Sequence, residues 1–160
     1  LFSFAFLIFL ILTSYELYTS GTKTDIIFIL LICIFSDIGG YVVGKLIGGR
    51  KLTKISPNKT ISGSIGSFIF SLIPIFIFLI IYDYTKDNSF KLQVSTLYII
   101  LLTLFLSFIC QLGDLFISYF KRKAKIKDTG SLLPGHGGLL DRIDGIIFVL
   151  PVSMIVFKIF

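Results

Sequence analysis

The chain has one histidine, two cysteines and nine acidic residues among 160. That scarcity excludes several classes. Zinc sites draw on clustered Cys and His ligands, whereas Cys33 and Cys110 lie far apart in apolar runs, with no CxxC and no neighbouring histidine. The two cysteines read as small buried hydrophobes. Internal repeats and low-complexity linkers are also missing, so a single domain over 1–160 is the economical reading. Leu1–Leu12 has neither a basic start nor a small-residue cleavage site, which argues against a secretory signal peptide. The first residue is Leu1, inside an apolar run, and further helices are expected ahead of it.

What is abundant is hydrocarbon. Hydrophobic residues make up 55% of the chain and mean hydropathy is +0.96. A soluble core of this size cannot hide that much apolar surface, so the class is integral membrane. Five apolar segments, 1–19, 25–47, 61–82, 93–119 and 139–160, reach the roughly 20 residues that cross a bilayer. They are continuous rather than alternating, and a backbone in lipid must satisfy its own hydrogen bonds, so helices are favoured over strands. The expected fold is an all-α polytopic bundle of about five transmembrane helices. The fourth segment is longer than a bilayer needs, and its C-terminal end is expected to project toward the headgroups.

Charge is confined to a few places. The 48–60 loop carries Arg50, Lys51, Lys54 and Lys59 with no acid, and 120–138 carries Lys121, Arg122, Lys123, Lys125 and Lys127 against Asp128 alone. The positive-inside rule places both loops in the cytoplasm, and the two spans between them agree with a shared side. Asp37, Asp114, Asp141, Arg142 and Asp144 then fall in or at the cytoplasmic ends of spans. Ionisable groups there are costly unless paired, hydrated or ligating. Interhelical salt bridges would explain any one of them; their convergence suggests a site.

Asp141 and Asp144 are three residues apart at a helix start and share a face. Arg142 points about 100° away from Asp141, toward a separate group. Clustered carboxylates suit a hard cation such as Mg²⁺, which usually also takes phosphate oxygens. Pro134-Gly135-His136-Gly137-Gly138 cannot be regular helix. Its glycines let backbone approach a ligand, and the helix entry that follows is of the kind that binds anions. His136 is open to three roles: base, phosphate donor or turn-locking hydrogen bonder. In the 48–60 loop, Ser56 or Asn58 could cap the next helix, and Lys59 could contact a phosphate. Gly40, Gly44 and Gly48 recur every four residues, the pattern of close helix packing, and Ser62, Gly63 and Gly66 fit the same role.

The run Ser118-x2-Lys121-Arg122-x4-Lys127-Asp128-x-Gly130-x2-Leu133-Pro134-x-His136-Gly137-Gly138-x2-Asp141-Arg142-Ile143-Asp144 resembles the pattern of the phosphatidate cytidylyltransferases, the CDP-diacylglycerol synthases. Gln111-x-Gly113-Asp114-Leu115, Asp37-x3-Tyr41-x2-Gly44-Lys45-x2-Gly48 with Lys51-Leu52, and Ser56-Pro57-x-Lys59-Thr60-x2-Gly63 are similar to further blocks of that family. The family commonly has Arg where Lys45 stands and Trp-Glu where Ile61-Ser62 stand. The resemblance implies transfer of CMP from CTP to phosphatidate, giving CDP-diacylglycerol and pyrophosphate, in a bacterial plasma membrane with the site facing the cytoplasm. It implies a metal centre of Mg²⁺, with K⁺ as a candidate second ion, on residues matching Asp114 and Asp141, and a homodimer.

Combined with the spacing, this gives expected roles. Asp114, Asp141, Lys127 and Arg142 would be catalytic. Asp114, Asp141 and Asp144 would hold metal. Lys121, Arg122, Lys59, Ser56, His136, Gly137 and Gly138 would bind phosphates. Lys123 and Lys125 read as topology determinants or contacts to anionic lipid. The expected partners are CTP, phosphatidate and membrane lipids, with no nucleic acid. Rival readings are a transporter or channel subunit using the acids as an ion or proton relay, a CTP-dependent lipid kinase, and a non-catalytic remnant. A CDP-alcohol phosphotransferase is disfavoured, because its Asp-Gly-x2-Ala-Arg run is absent.

Overall fold

The computed structural model describes residues 2–20, 23–53, 56–85, 95–126 and 140–159, although several side chains near helix ends, including those of Asp141 and Arg142, lie outside the description. Six helices follow one another: α1 (Phe2–Ser20), α2 (Lys23–Ile47), α3 (Ile61–Ser71), α4 (Ile73–Thr85), α5 (Thr96–Lys123) and α6 (Leu140–Ile159). Among the described residues there is no strand, only one antiparallel bridge between Lys51 and Thr60. The protein is an all-α membrane protein, with helix in each of the five expected segments. Three stretches, Asp25–Ile47, Ile61–Ile80 and Thr96–Lys123, are long and apolar enough to cross a bilayer among the described residues.

The third segment differs from its expected form. It breaks at Leu72 into α3 and α4. Pro74 has no N–H to continue the ladder from α3, and short bonds from Leu72 N to Ile69 O (3.3 Å) and Ile75 N to Leu72 O (3.1 Å) carry the chain across. Lipid tolerates such a break because the freed groups are satisfied locally.

Apolar packing centres on α2, α4, α5 and α6. Phe28, Ile29 and Ile32 meet Ile75 and Phe78, Leu102 and Leu106, and Val149, with the Phe28 and Phe78 rings edge to face at 5.1 Å. Cys33 and Cys110 are buried and free, as small hydrophobes should be. One buried polar tie crosses this core, a 3.0 Å hydrogen bond between the hydroxyls of Ser36 and Ser107.

Close approach of α2 and α3 sets the geometry of the site. A Cβ at Gly63 would lie 2.7 Å from Gly40 O, and one at Gly40 would lie 2.7 Å from Ser67 Oγ. These glycines pack backbone against backbone, as their spacing suggested. Gly48 does not share the role. It has φ +63 and open space around it, and its N–H bonds Gly44 O at 3.0 Å. It is the left-handed residue that ends α2.

Candidate active site

The loop after α2 is folded tightly by its own backbone. Leu52 N–H donates to Lys59 O (2.8 Å) and Ile61 N–H to Arg50 O (3.0 Å), closing the Lys51–Thr60 bridge. Ser56-Pro57-Asn58-Lys59 forms a turn in which Lys59 N–H bonds Ser56 O at 3.1 Å, with Pro57 supplying the fixed φ such turns favour. The cap of α3 is Thr60, not Ser56 or Asn58. Its extended backbone (φ −113, ψ 158) lets its Oγ1 accept from Gly63 N at 3.0 Å. Ser62, which stands at the departure from the family pattern, donates to Gly48 O and ties the two ends of the loop together. Lys59 is thus held between a turn and a cap, and its ammonium reaches Asp114 of α5.

That ion pair lies at a pocket of about 330 Å³ enclosed by α2, α3, α5 and the 48–60 loop. Asp37 enters from α2, Ser64 from α3, Gln111 and Asp114 from α5, and Lys59 and Ser56 from the loop. Ser64 Oγ donates to Gln111 Oε1 at 2.5 Å. The Gln111 Nε2 is buried and has no partner among the described residues. Asp37 interacts electrostatically with Asp114, Lys59 and Asp144. Asp114 lies nine residues before the end of α5 and Asp37 ten before the end of α2, which puts both about 14–15 Å inside the helix ends. At 28 residues, α5 is about 42 Å long against a hydrocarbon core of about 30 Å, so its excess length matches the stretch beyond Asp114.

A second ion pair joins α5 to α6. Lys121 Nζ meets Asp144 Oδ2 at 2.7 Å, with side chains 12% and 5% exposed. Just below it the two helices nearly touch. A Cβ at Gly113 would lie 2.8 Å from the Phe148 ring, and Phe116 stacks edge-on against the same ring at 5.3 Å. Gly145 lies directly against Cys110. Asp144 does not contribute to the described lining of the pocket.

The structure therefore brings Lys59 to Asp114 and Lys121 to Asp144, and it gathers Ser56, Asp37 and Asp114 around one cavity. Arg122, Lys123 and Lys125 are exposed. Asp141 and Arg142 fall in the first turn of α6, with their side chains outside the description, and Lys127, His136, Gly137 and Gly138 lie outside the described residues. Ser64 and Gln111 had no role from sequence; Gln111 is part of the Gln111-x-Gly113-Asp114 block, which was its available signal. Among the described residues no three acidic, histidine or cysteine side chains converge on a metal position. Beside the Lys59 ammonium and the side-chain amides of Asn58 and Gln111, the pocket nonetheless offers oxygen ligands, the carboxylates of Asp37 and Asp114 and nearby hydroxyls. That is the chemistry of a Mg²⁺ held by one or two carboxylates and completed by phosphate.

The whole of residues 1–160 matches the model of the cytidylyltransferase family. The phosphatidate cytidylyltransferase of Bacillus subtilis (strain 168) is 45% identical over 127 residues, 78% of this chain and 44% of that protein. That of Staphylococcus haemolyticus (strain JCSC1435) is 44% identical over 140 residues, 84% of this chain and 51% of that protein. That of Staphylococcus aureus (strain COL) is 46% identical over 127 residues, covering 79% and 46%. The chain spans about half the length of these curated relatives. With apolar helices around an acidic and basic pocket and a match along its full length, the chain belongs to the cytidylyltransferase family.

Proposed function

We propose that this chain carries a phosphatidate cytidylyltransferase site in the pocket around Asp114, transferring CMP from CTP to phosphatidate and releasing pyrophosphate. The observation that carries the reading is the pocket itself: two carboxylates, about 14–15 Å inside their helix ends, share one cavity with Lys59 of the basic 48–60 loop. A phosphate oxygen of phosphatidate attacks the α-phosphorus of CTP. The bond from that phosphorus to the oxygen bridging to the β-phosphate breaks, and pyrophosphate departs with the electron pair. Two anions must meet, so offsetting charge is the main demand on the protein. A phosphate monoester is already nucleophilic near neutral pH, and no strong general base is needed.

Lys59 stands at the pocket to bind a phosphate oxygen, and Arg122, Lys127 and Arg142 would serve the remaining oxygens from the α5–α6 connection, where Arg can bind bidentately. The glycine-rich run His136-Gly137-Gly138, outside the described residues, would serve the CTP phosphates. Asp114, Asp141 and Asp144 would hold Mg²⁺, with Asp144 also paired through Oδ2 to Lys121. Bound there, Mg²⁺ would neutralise charge on the phosphate oxygens. K⁺ as a second ion and a homodimer belong to the same proposal. So does a cytoplasmic site in a bacterial plasma membrane, which the basic residues Arg50, Lys51 and Lys123 at the pocket end support. The transporter rival needs acids spread along the membrane depth on several helices; among the described residues Asp37 and Asp114 share one pocket, and the buried polar groups farther from the 48–60 loop, Ser71, Thr103 and Ser107 among them, are hydroxyls.

The test is pyrophosphate release from the purified protein with CTP, dCTP or ATP, with and without phosphatidate. Release that requires both a cytidine nucleotide and phosphatidate is expected. Release with ATP alone, or none under any condition, would overturn the reading.

A further inference from the structure

We propose that Lys59 is a placeholder for a divalent cation, occupying Asp114 until the ion arrives and then turning its ammonium to the nucleotide's phosphates. The inference rests on the reading of the pocket as a metal-assisted site for phosphate transfer. Among the described lining residues the charged groups are Asp37, Asp114 and Lys59. With Lys59 on Asp114 these described groups carry one net negative charge, which disfavours a triphosphate beside them. A divalent ion at Asp114 makes that set net positive and frees the ammonium. Cation binding at Asp114 and nucleotide binding at Lys59 are thereby coupled, and Lys59 changes partner as both occur.

The two ion pairs differ in the way this exchange needs. The Lys59 and Asp114 side chains are 28% and 32% exposed, whereas those of Lys121 and Asp144 are 12% and 5% exposed. A pair open to water is weak and easily exchanged, while opening a buried one strands charge. Lys59 also has the right mounting. Its backbone is pinned on both sides, by Leu52 N–H to its carbonyl and by its own N–H to Ser56 O. The loop can stay in place while the flexible four-carbon side chain swings.

The experiment measures Mn²⁺ binding by electron paramagnetic resonance on the purified protein without nucleotide, then CTP binding at saturating Mn²⁺. Lys59→Met should bind Mn²⁺ about two- to fivefold more tightly than wild type, because the competing ammonium is gone. The same variant should bind CTP about tenfold more weakly, having lost a charged phosphate contact. Lys59→Gln should move both constants in the same directions, and Lys59→Arg should return Mn²⁺ affinity toward wild type. A brace that merely holds the fold would not shift the two affinities in opposite senses. Mn²⁺ affinity unchanged or weakened in both Lys59→Met and Lys59→Gln, with wild type binding normally, overturns the placeholder role alone. Absence of Mn²⁺ binding by wild type overturns the metal reading of the pocket and this inference with it.

Discussion

Gly66→Ala tests whether the α2–α3 contact sets the active-site geometry. The added methyl would lie 2.5 Å from Val43 Cβ, 2.6 Å from Val43 Cγ2 and 2.7 Å from Gly39 O. Carbon atoms pack at about 3.5–4.0 Å, so the shortfall is about 1 Å. Val43 Cγ2 can rotate away, but its Cβ and the Gly39 carbonyl belong to the α2 framework, and the helices have to part. Overpacking of this kind costs about 1–3 kcal/mol. Parting α3 from α2 also moves Asp37 and Ser64 relative to Asp114, and an error of about 1 Å in a catalytic constellation can cost about 100-fold in rate. Unfolding midpoint and pyrophosphate release should both fall. Ile65→Ala is the control, since Ile65 is 56% exposed on the outer face of α3. If Gly66→Ala unfolds and turns over like Ile65→Ala, the close-packing account of the site is refuted.

Two further perturbations address the α5 end. Lys121→Met takes the ammonium from a buried carboxylate and should destabilise the protein by about 3 kcal/mol in denaturant titration, with the double variant Lys121→Met/Asp144→Asn recovering part of the loss; no recovery would mean the pair is incidental. Lys125 closes α5 with φ 58, its N–H on Arg122 O and the Ile126 N–H on Lys121 O, the arrangement in which glycine is preferred. Lys125→Gly should raise the unfolding free energy by about 1 kcal/mol while Lys125→Ala should not, and a loss in the glycine variant would contradict the strain assigned to that residue.

Much of this fold is legible in the sequence because lipid leaves few options. Continuous apolar runs between basic loops specify helices, and the described bounds differ from the expected ones by a few residues. The features that escaped are those where a local signal has two meanings. Gly40, Gly44 and Gly48 are evenly spaced, yet the helix stops before the third, and only φ separates a packing glycine from a terminating one. Pro74 sits inside an unbroken apolar run, so the break at Leu72 leaves no hydropathy trace. Ser56 and Asn58 were the expected caps of α3, but the Lys51–Thr60 bridge brings Thr60 to the helix start, where its Oγ1 takes the role. The acids of the site were visible as costly charges within apolar spans. Their partners were not, because Lys59 and Asp114 are 55 residues apart in sequence and no spacing rule joins them. Asp144 was expected to face a metal, but its partnership with Lys121 became visible only in the packing of α5 on α6.

The central claim is that the Asp114 pocket transfers CMP to a lipid phosphate. Its most direct test is formation of CDP-diacylglycerol, followed by mass spectrometry, from CTP and phosphatidate in proteoliposomes of wild type and Asp114→Asn matched for folded, inserted protein. The account predicts CTP-dependent product from wild type and a loss of at least about 100-fold in the variant. Near-normal product from Asp114→Asn would contradict it.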